Sequence, residues 1–106
     1  MAYKLTPDAF DQAFAIYVDG TLMFGQGQAE KYQAGLEQTL TFLGDNPRAA
    51  RERTEIDPPI RVHPFGSHVI IYRDVGDDAV ILAIRHSREN WIDDPWSGLS
   101  TSAPRP

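Results

Sequence analysis

In the first half of the chain, apolar residues recur at steps of three and four; in the second half, they recur at every other position. Phe10, Phe14, Tyr17, Val18 and Leu22 follow the first rule and predict a helix with one apolar face. Thr6-Pro7 marks its start, an N-cap hydroxyl followed by proline at the first helical position. Asp8 and Asp11 lie in or near the first turn, where the helix dipole favours a negative charge. Gly20 weakens the second half, and Gly25-Gln26-Gly27 interrupts the pattern as a helix–helix connection would. A second helix is expected from near Gln28, with Ala29, Tyr32, Leu36, Leu40 and Leu43 as its face. Gly44 reads as its terminator, and Asn46-Pro47 stops any continuation. Two amphipathic helices joined by a short loop predict an antiparallel hairpin.

From Arg48 to Asp57 the chain is charged and aperiodic, a surface linker closed by Pro58-Pro59. The period then becomes two. Ile60, Val62 and Pro64 alternate with Arg61 and His63, and a Phe65-Gly66-Ser67 turn leads into the β-forming run His68 to Arg73. Val75-Gly76-Asp77-Asp78 is hairpin chemistry, followed by a further strand from Ala79 to Arg85. Tyr3-Lys4-Leu5 is extended and can add a fourth strand. The expected fold class is therefore α+β: an N-terminal antiparallel helix hairpin packed on a three- to four-stranded antiparallel sheet. One domain is expected over residues 1–96. Residues 97–106, rich in Pro, Ser and Thr, are expected to form a mobile tail.

Composition narrows the function more than the fold. At 106 residues there is room for one hydrophobic core. The absence of cysteine excludes disulfides, thiolate metal sites and a cysteine nucleophile. No apolar run is long enough to span a bilayer, and the N-terminus has no signal-peptide pattern, so a cytoplasmic protein is expected. Ten basic against 15 acidic side chains give a formal charge of −5, which disfavours a nucleic-acid binder and favours protein partners.

Little in the chain looks catalytic. Gly25 and Gly27 lack the third glycine and the Lys-Ser/Thr pair of a phosphate loop. His63 and His68 flank a turn, yet no third ligand has the spacing of a tetrahedral set, so neither a metal nor a cofactor is expected. His86 can serve as a general acid or base, or can simply hydrogen-bond nearby backbone at a strand end. Asp77-Asp78 fits a solvated turn, whereas Asp93-Asp94 lies between Trp91 and Trp96 in a segment that is either a protein contact or a core-covering flap. Arg61, Arg73 and Arg85 fall on three predicted strands. In simple register they line one sheet face and grip the carboxylates of an acidic partner segment, the alternative being ordinary solvent-side positions.

The succession of local sequence words resembles the ParE branch of the RelE/ParE toxins. It comprises Tyr3-Lys4-Leu5-Thr6-Pro7-Asp8-Ala9, Ala29-Glu30-Lys31-Tyr32 with Gly35-Leu36, and Leu43 with Asn46-Pro47-Arg48. Arg61, the run Pro64 to Arg73 and Ile81 to His86 complete it, and the run Pro64 to Arg73 with Ile84-Arg85-His86 is its most specific part. The resemblance implies a non-catalytic toxin of a type II toxin–antitoxin system, neutralised by a ParD-like antitoxin in a hetero-oligomer and poisoning DNA gyrase to block replication. It implies antitoxin contacts at Phe10, Phe14, Tyr17, Arg61, Arg73 and Arg85, and target contacts at Arg85, His86, Arg88, Trp91 and Asp93. RelE-like members of the superfamily cut messenger RNA on the ribosome. That alternative would rest here on Arg61, Tyr72, Arg85 and His86, in a chain whose only lysines are Lys4 and Lys31. A non-toxic protein-binding module is the third reading.

Overall fold

The computed structural model of the chain describes residues 2–88. Its elements run β1 (Tyr3–Leu5), α1 (Pro7–Phe24), α2 (Gln26–Asp45), β2 (Glu52–Arg53), β3 (Ile60–Phe65), β4 (His68–Val75) and β5 (Asp78–His86). The strands form one sheet in the order β1-β5-β4-β3-β2, antiparallel except for β1, which pairs parallel to β5. The helix hairpin on an antiparallel sheet is thus as expected, with β1 as the foreseen fourth strand. The fifth, β2, comes from the segment read as linker: Glu52 pairs with Arg61 and Arg53 with Ile60. Two residues are too few to show an alternation in the sequence. The proposed domain end at residue 96, the tail, Trp91 and Asp93 lie outside the described residues.

The start of α1 is fixed at both its backbone and its position on the sheet. Thr6 Oγ1 accepts from Ala9 N at 3.1 Å and donates to Leu82 O on β5, also at 3.1 Å. The connection between the helices is shorter than predicted. Gly25 alone makes the turn, at φ 91°, a conformation that side chains disfavour. Its N–H closes α1 on Thr21 O at 3.0 Å, and its carbonyl opens α2 by accepting from Ala29 N at 3.1 Å. Gly44 does not end α2 as expected. It lies inside the helix, and glycine stands there because the backbone of residues 2–3 crosses so closely that a Cβ would be 2.7 Å from the Ala2 carbonyl carbon.

The sheet has an apolar cluster on each face. On the helix side, Leu36, Leu40 and Leu43 of α2 pack with Ile70, Tyr72, Ile81 and Ile84. On the other side, Ile56, Ile60, Val69, Ile71 and Ala83 form a smaller cluster. A bulge at Leu82 separates the Ile71–Ala83 pair from the Tyr72–Ile81 pair and so shifts which β5 residues face the helices. The face of α2 is the predicted one. That of α1 is inverted: Ala9 and Ala13 are buried, with Ile16 partly so, while Phe10 and Phe14 are 60% and 62% exposed. The side turned inward is a run of small residues that lets α1 approach its neighbours, as at Gly20, where a Cβ would be 3.6 Å from Ala29 Cβ.

Candidate functional site

Because α1 turns its small side inward, its large side is left for something else. Phe10, Phe14, Val18 and Leu22 follow one another by four residues, and all are exposed, Leu22 by 80%. Met23 and Phe24 extend the apolar surface to the tip of the hairpin. Beside the stripe, a groove of about 350 Å³ runs between the helices, lined by Phe10, Phe14 and Tyr17 of α1 and by Gln33, Leu36 and Glu37 of α2. A second hollow, of about 450 Å³, lies between the C-terminal half of α1, α2 and the ends of β4 and β5. Tyr17 and Gln33 line both. The buried Oε1 of Gln33 has no hydrogen-bond partner among the described residues. A contiguous exposed apolar surface beside a groove is the usual mark of a protein-binding face.

The second hollow ends at a cluster of titratable groups. Tyr32 Oη is 2.7 Å from His68 Nδ1, accepts from Ser67 N at 3.0 Å and lies 3.2 Å from Phe65 O. Its single proton goes to either His68 Nδ1 or Phe65 O, according to the His68 tautomer. Burial pushes the Tyr32 hydroxyl above the ordinary tyrosine value, and its hydrogen bond to the Ser67 backbone pulls the other way. His68 and His86 oppose each other in register, with ring centroids 5.3 Å apart. His86 Nδ1 accepts from Arg88 N at 3.1 Å, so the histidine bonds backbone at the strand end.

The three arginines do not share a face, which corrects the simple-register expectation. β3 pairs Arg61 with Tyr72 and not with Arg73, placing Arg61 on the helix side of the sheet. Arg73, opposite Val80, and Arg85, opposite Val69, lie on the other side. Arg61 is already engaged: its Nε donates to Asp74 Oδ1 at 2.9 Å and its Nη1 to Ala50 O at 2.6 Å. The Arg61 hydrogen bond chiefly holds the Asp74 carboxyl below the ordinary carboxylate range. Tyr72 completes this staple by accepting from Ala50 N at 3.3 Å. Arg73 is exposed, while Arg85 is buried.

The four residues of the nuclease alternative are spread over the sheet. Arg61 and Tyr72 are paired at one end, His86 lies at the other end opposite His68, and Arg85 is on the far face. His63 opposes Ile70 and His68 opposes Phe65, so those two histidines are not cross-strand partners. No group of three potential metal ligands occurs among the described residues. Phe10, Phe14 and Tyr17 do come together at the groove, and Arg88 is exposed just beyond β5. Sequence reasoning missed Tyr32, Gln33, Met23 and Phe24. The run Leu22-Met23-Phe24 before a glycine was the one local signal, since three consecutive apolar residues at a helix end cannot all face a core.

Residues 3–91 match the family model described as the ParE toxin of type II toxin–antitoxin system, parDE. Two curated relatives, both named Toxin ParE1, from Mycobacterium tuberculosis strains CDC 1551 / Oshkosh and ATCC 25618 / H37Rv, are each 33% identical over 87 residues. The match covers 81% of this chain and 89% of each relative. A solved chain of the chromosomal ParDE TA system from P. aeruginosa has the same fold, with a TM-score of 0.69 at 22% identity, covering 81% of this chain and 95% of that one.

Proposed function

The chain belongs to the ParE toxins of parDE type II toxin–antitoxin systems, and from that premise we propose that it acts by binding. A ParD-like antitoxin covers the helix hairpin in a hetero-oligomer, and the uncovered toxin engages DNA gyrase and blocks replication. The observation that carries this reading is the exposed stripe of Phe10 and Phe14 beside the interhelical groove. Apolar side chains of that size on an otherwise acidic helix fit an amphipathic segment laid into the groove that Tyr17 helps to line. Arg73, exposed on the opposite sheet face, is the arginine available to a second, acidic stretch of the same antitoxin. Arg61, on the helix side of the sheet, holds the Ala50 backbone, and with Arg85 it completes the proposed contact set.

Target contact is assigned to the chain around and beyond the end of β5: Arg85, His86 and Arg88, continuing to Trp91 and Asp93. A non-catalytic mode suits the dispersal of Arg61, Tyr72, Arg85 and His86. Cleavage of a phosphodiester needs proton-transfer groups and cations converging on one centre. Gyrase as the target places the action in the bacterial cytoplasm.

Tightly controlled expression of this chain in a bacterium tests the proposal, with DNA-damage induction and message integrity followed together. Growth arrest with damage induction and intact messages is expected. Cleaved messages without DNA damage transfer the case to a ribosome-dependent nuclease. Unimpaired growth with soluble protein refutes toxicity towards that host.

A further inference from the structure

The formal charge of −5 is not spread over the molecule. Residues 7–45, the helix hairpin, carry six carboxylates against one cation, Lys31, whereas the nine acidic and nine basic side chains elsewhere cancel. Within the hairpin the acids border the apolar surface. Asp11 aligns with Val18 and Leu22 at spacings of two and three turns, so it sits on the outer edge of the stripe. Glu37 lines the groove from the α2 side, and Glu30 lies two turns before it on the same edge. Asp19 lines the second hollow. Lys31 is three turns from Phe42 and shares its side of α2, which abuts His63 on β3, away from the groove. Asp11 and Glu37 form no ion pair among the described residues.

We propose that the partner segment over α1 and α2 is an amphipathic helix whose apolar stripe is flanked by lysines and arginines. This inference rests on the antitoxin-binding reading above and specifies the chemistry of the segment that binds there. An acidic helix laid over this surface would set carboxylates against Glu37 in the groove and against Asp11 along the outer edge of the stripe. Water would be leaving at the same time, so the repulsion would be poorly screened. A cationic flank turns both contacts into attraction and speeds encounter with the hairpin.

Two synthetic peptides test the inference against the full chain by calorimetry. Both carry leucine at alternating three- and four-residue steps; one has lysine at every flanking position and the other glutamate. The lysine peptide is expected to bind at least about 10-fold tighter at low salt, and the gap should close at high ionic strength. Asp11→Asn with Glu37→Gln should remove most of the preference. Phe10→Ser with Phe14→Ser should abolish binding, which a purely electrostatic association would survive. Equal affinities, or a tighter glutamate peptide, overturn the charge assignment and leave the groove as a docking site. If neither peptide binds, the groove assignment falls, and whether the chain still arrests growth decides separately whether it is a toxin.

Discussion

Alanine in place of glycine inside a helix ordinarily stabilises it by roughly 1 kcal/mol, because the backbone loses less freedom on folding. α2 offers two positions where the same substitution should act with opposite sign. At Gly44 an added Cβ would lie 2.7 Å from the Ala2 carbonyl carbon, 2.8 Å from Tyr3 N and 3.1 Å from Ala2 O. All three are backbone atoms, and ordinary carbon contacts begin near 3.5 Å, so β1 or α2 has to move by several tenths of an ångström. β1 is poorly placed to yield. It is tied to β5 by Ala79 N to Ala2 O at 2.9 Å and by Thr6 N to Ile81 O at 3.1 Å. Overpacking of this kind costs about 1–3 kcal/mol, and against rigid backbone the upper part of that range applies, so Gly44→Ala should destabilise by up to about 2 kcal/mol after the propensity gain of about 1 kcal/mol. At Gly27 nothing lies within 4 Å of the added Cβ. Being in the first turn, it should gain part of the propensity term, about 0.5–1 kcal/mol. For a domain of this size each kcal/mol moves the melting temperature by roughly 4–8 °C. Thermal unfolding followed by circular dichroism should therefore show Gly27→Ala melting above the parent and Gly44→Ala below it. If both variants melt higher, β1 does not pack against α2 as described.

Leu36 is 1% exposed whereas Phe14 is 62% exposed. Leu36→Ala should thus cost about 2–5 kcal/mol and Phe14→Ser less than about 0.5 kcal/mol, read from denaturant midpoints; comparable losses would contradict the inverted face of α1. Asp74 has a folded-state pKa depressed by Arg61, so its contribution to stability is present above the unfolded-state value near pH 4 and is lost as pH falls through the folded value. The advantage of the parent over Asp74→Asn in urea midpoint should accordingly shrink below about pH 4, and a pH-independent difference would show that the Arg61 contact does not favour the carboxylate. Tyr32→Phe removes the acceptor of Ser67 N and the partner of His68 Nδ1. It should cost about 1–2 kcal/mol and quicken exchange of the Ser67 amide; unchanged exchange would mean that this amide is protected by other means.

Most of the architecture was legible because it is periodic. Leu36, Leu40 and Leu43 lie on the face of α2 that the spacing predicts, and the alternation from Ile60 to Arg85 delivers the three long strands in order. What failed depends on relations the pattern does not carry. α1 has two faces with acceptable spacing, and the eye follows the large one. The small face, Ala9, Ala13, Ile16 and Gly20, wins because two helices and a sheet meet there at short range. The arginine expectation failed on parity. Arg61 opposes Tyr72, so its neighbour Arg73 points the other way. Gly44 looked like a terminator because local sequence cannot show a strand crossing from residues 2–3. At the candidate site, Phe10, Phe14 and Tyr17 were identified through the resemblance, whereas the Tyr32–His68 contact joins residues 36 apart and leaves no trace in local spacing.

The inverted α1 links the energetics of the fold to its proposed task. Burying alanine side chains removes little apolar area from water, so α1 contributes less to the core than its composition implies, and the leucines of α2 carry the hairpin. The aromatic side chains that would have enlarged the core are displayed instead, at the risk that two copies of the toxin meet stripe to stripe. Such a two-fold contact would bring the acidic rim of one hairpin against the same rim of the other. The carboxylates that favour a cationic antitoxin segment therefore oppose self-association through the same surface. Neutralising Asp11 or Glu37 would relax both effects together, because one set of charges sets the preference for the partner and the repulsion between copies.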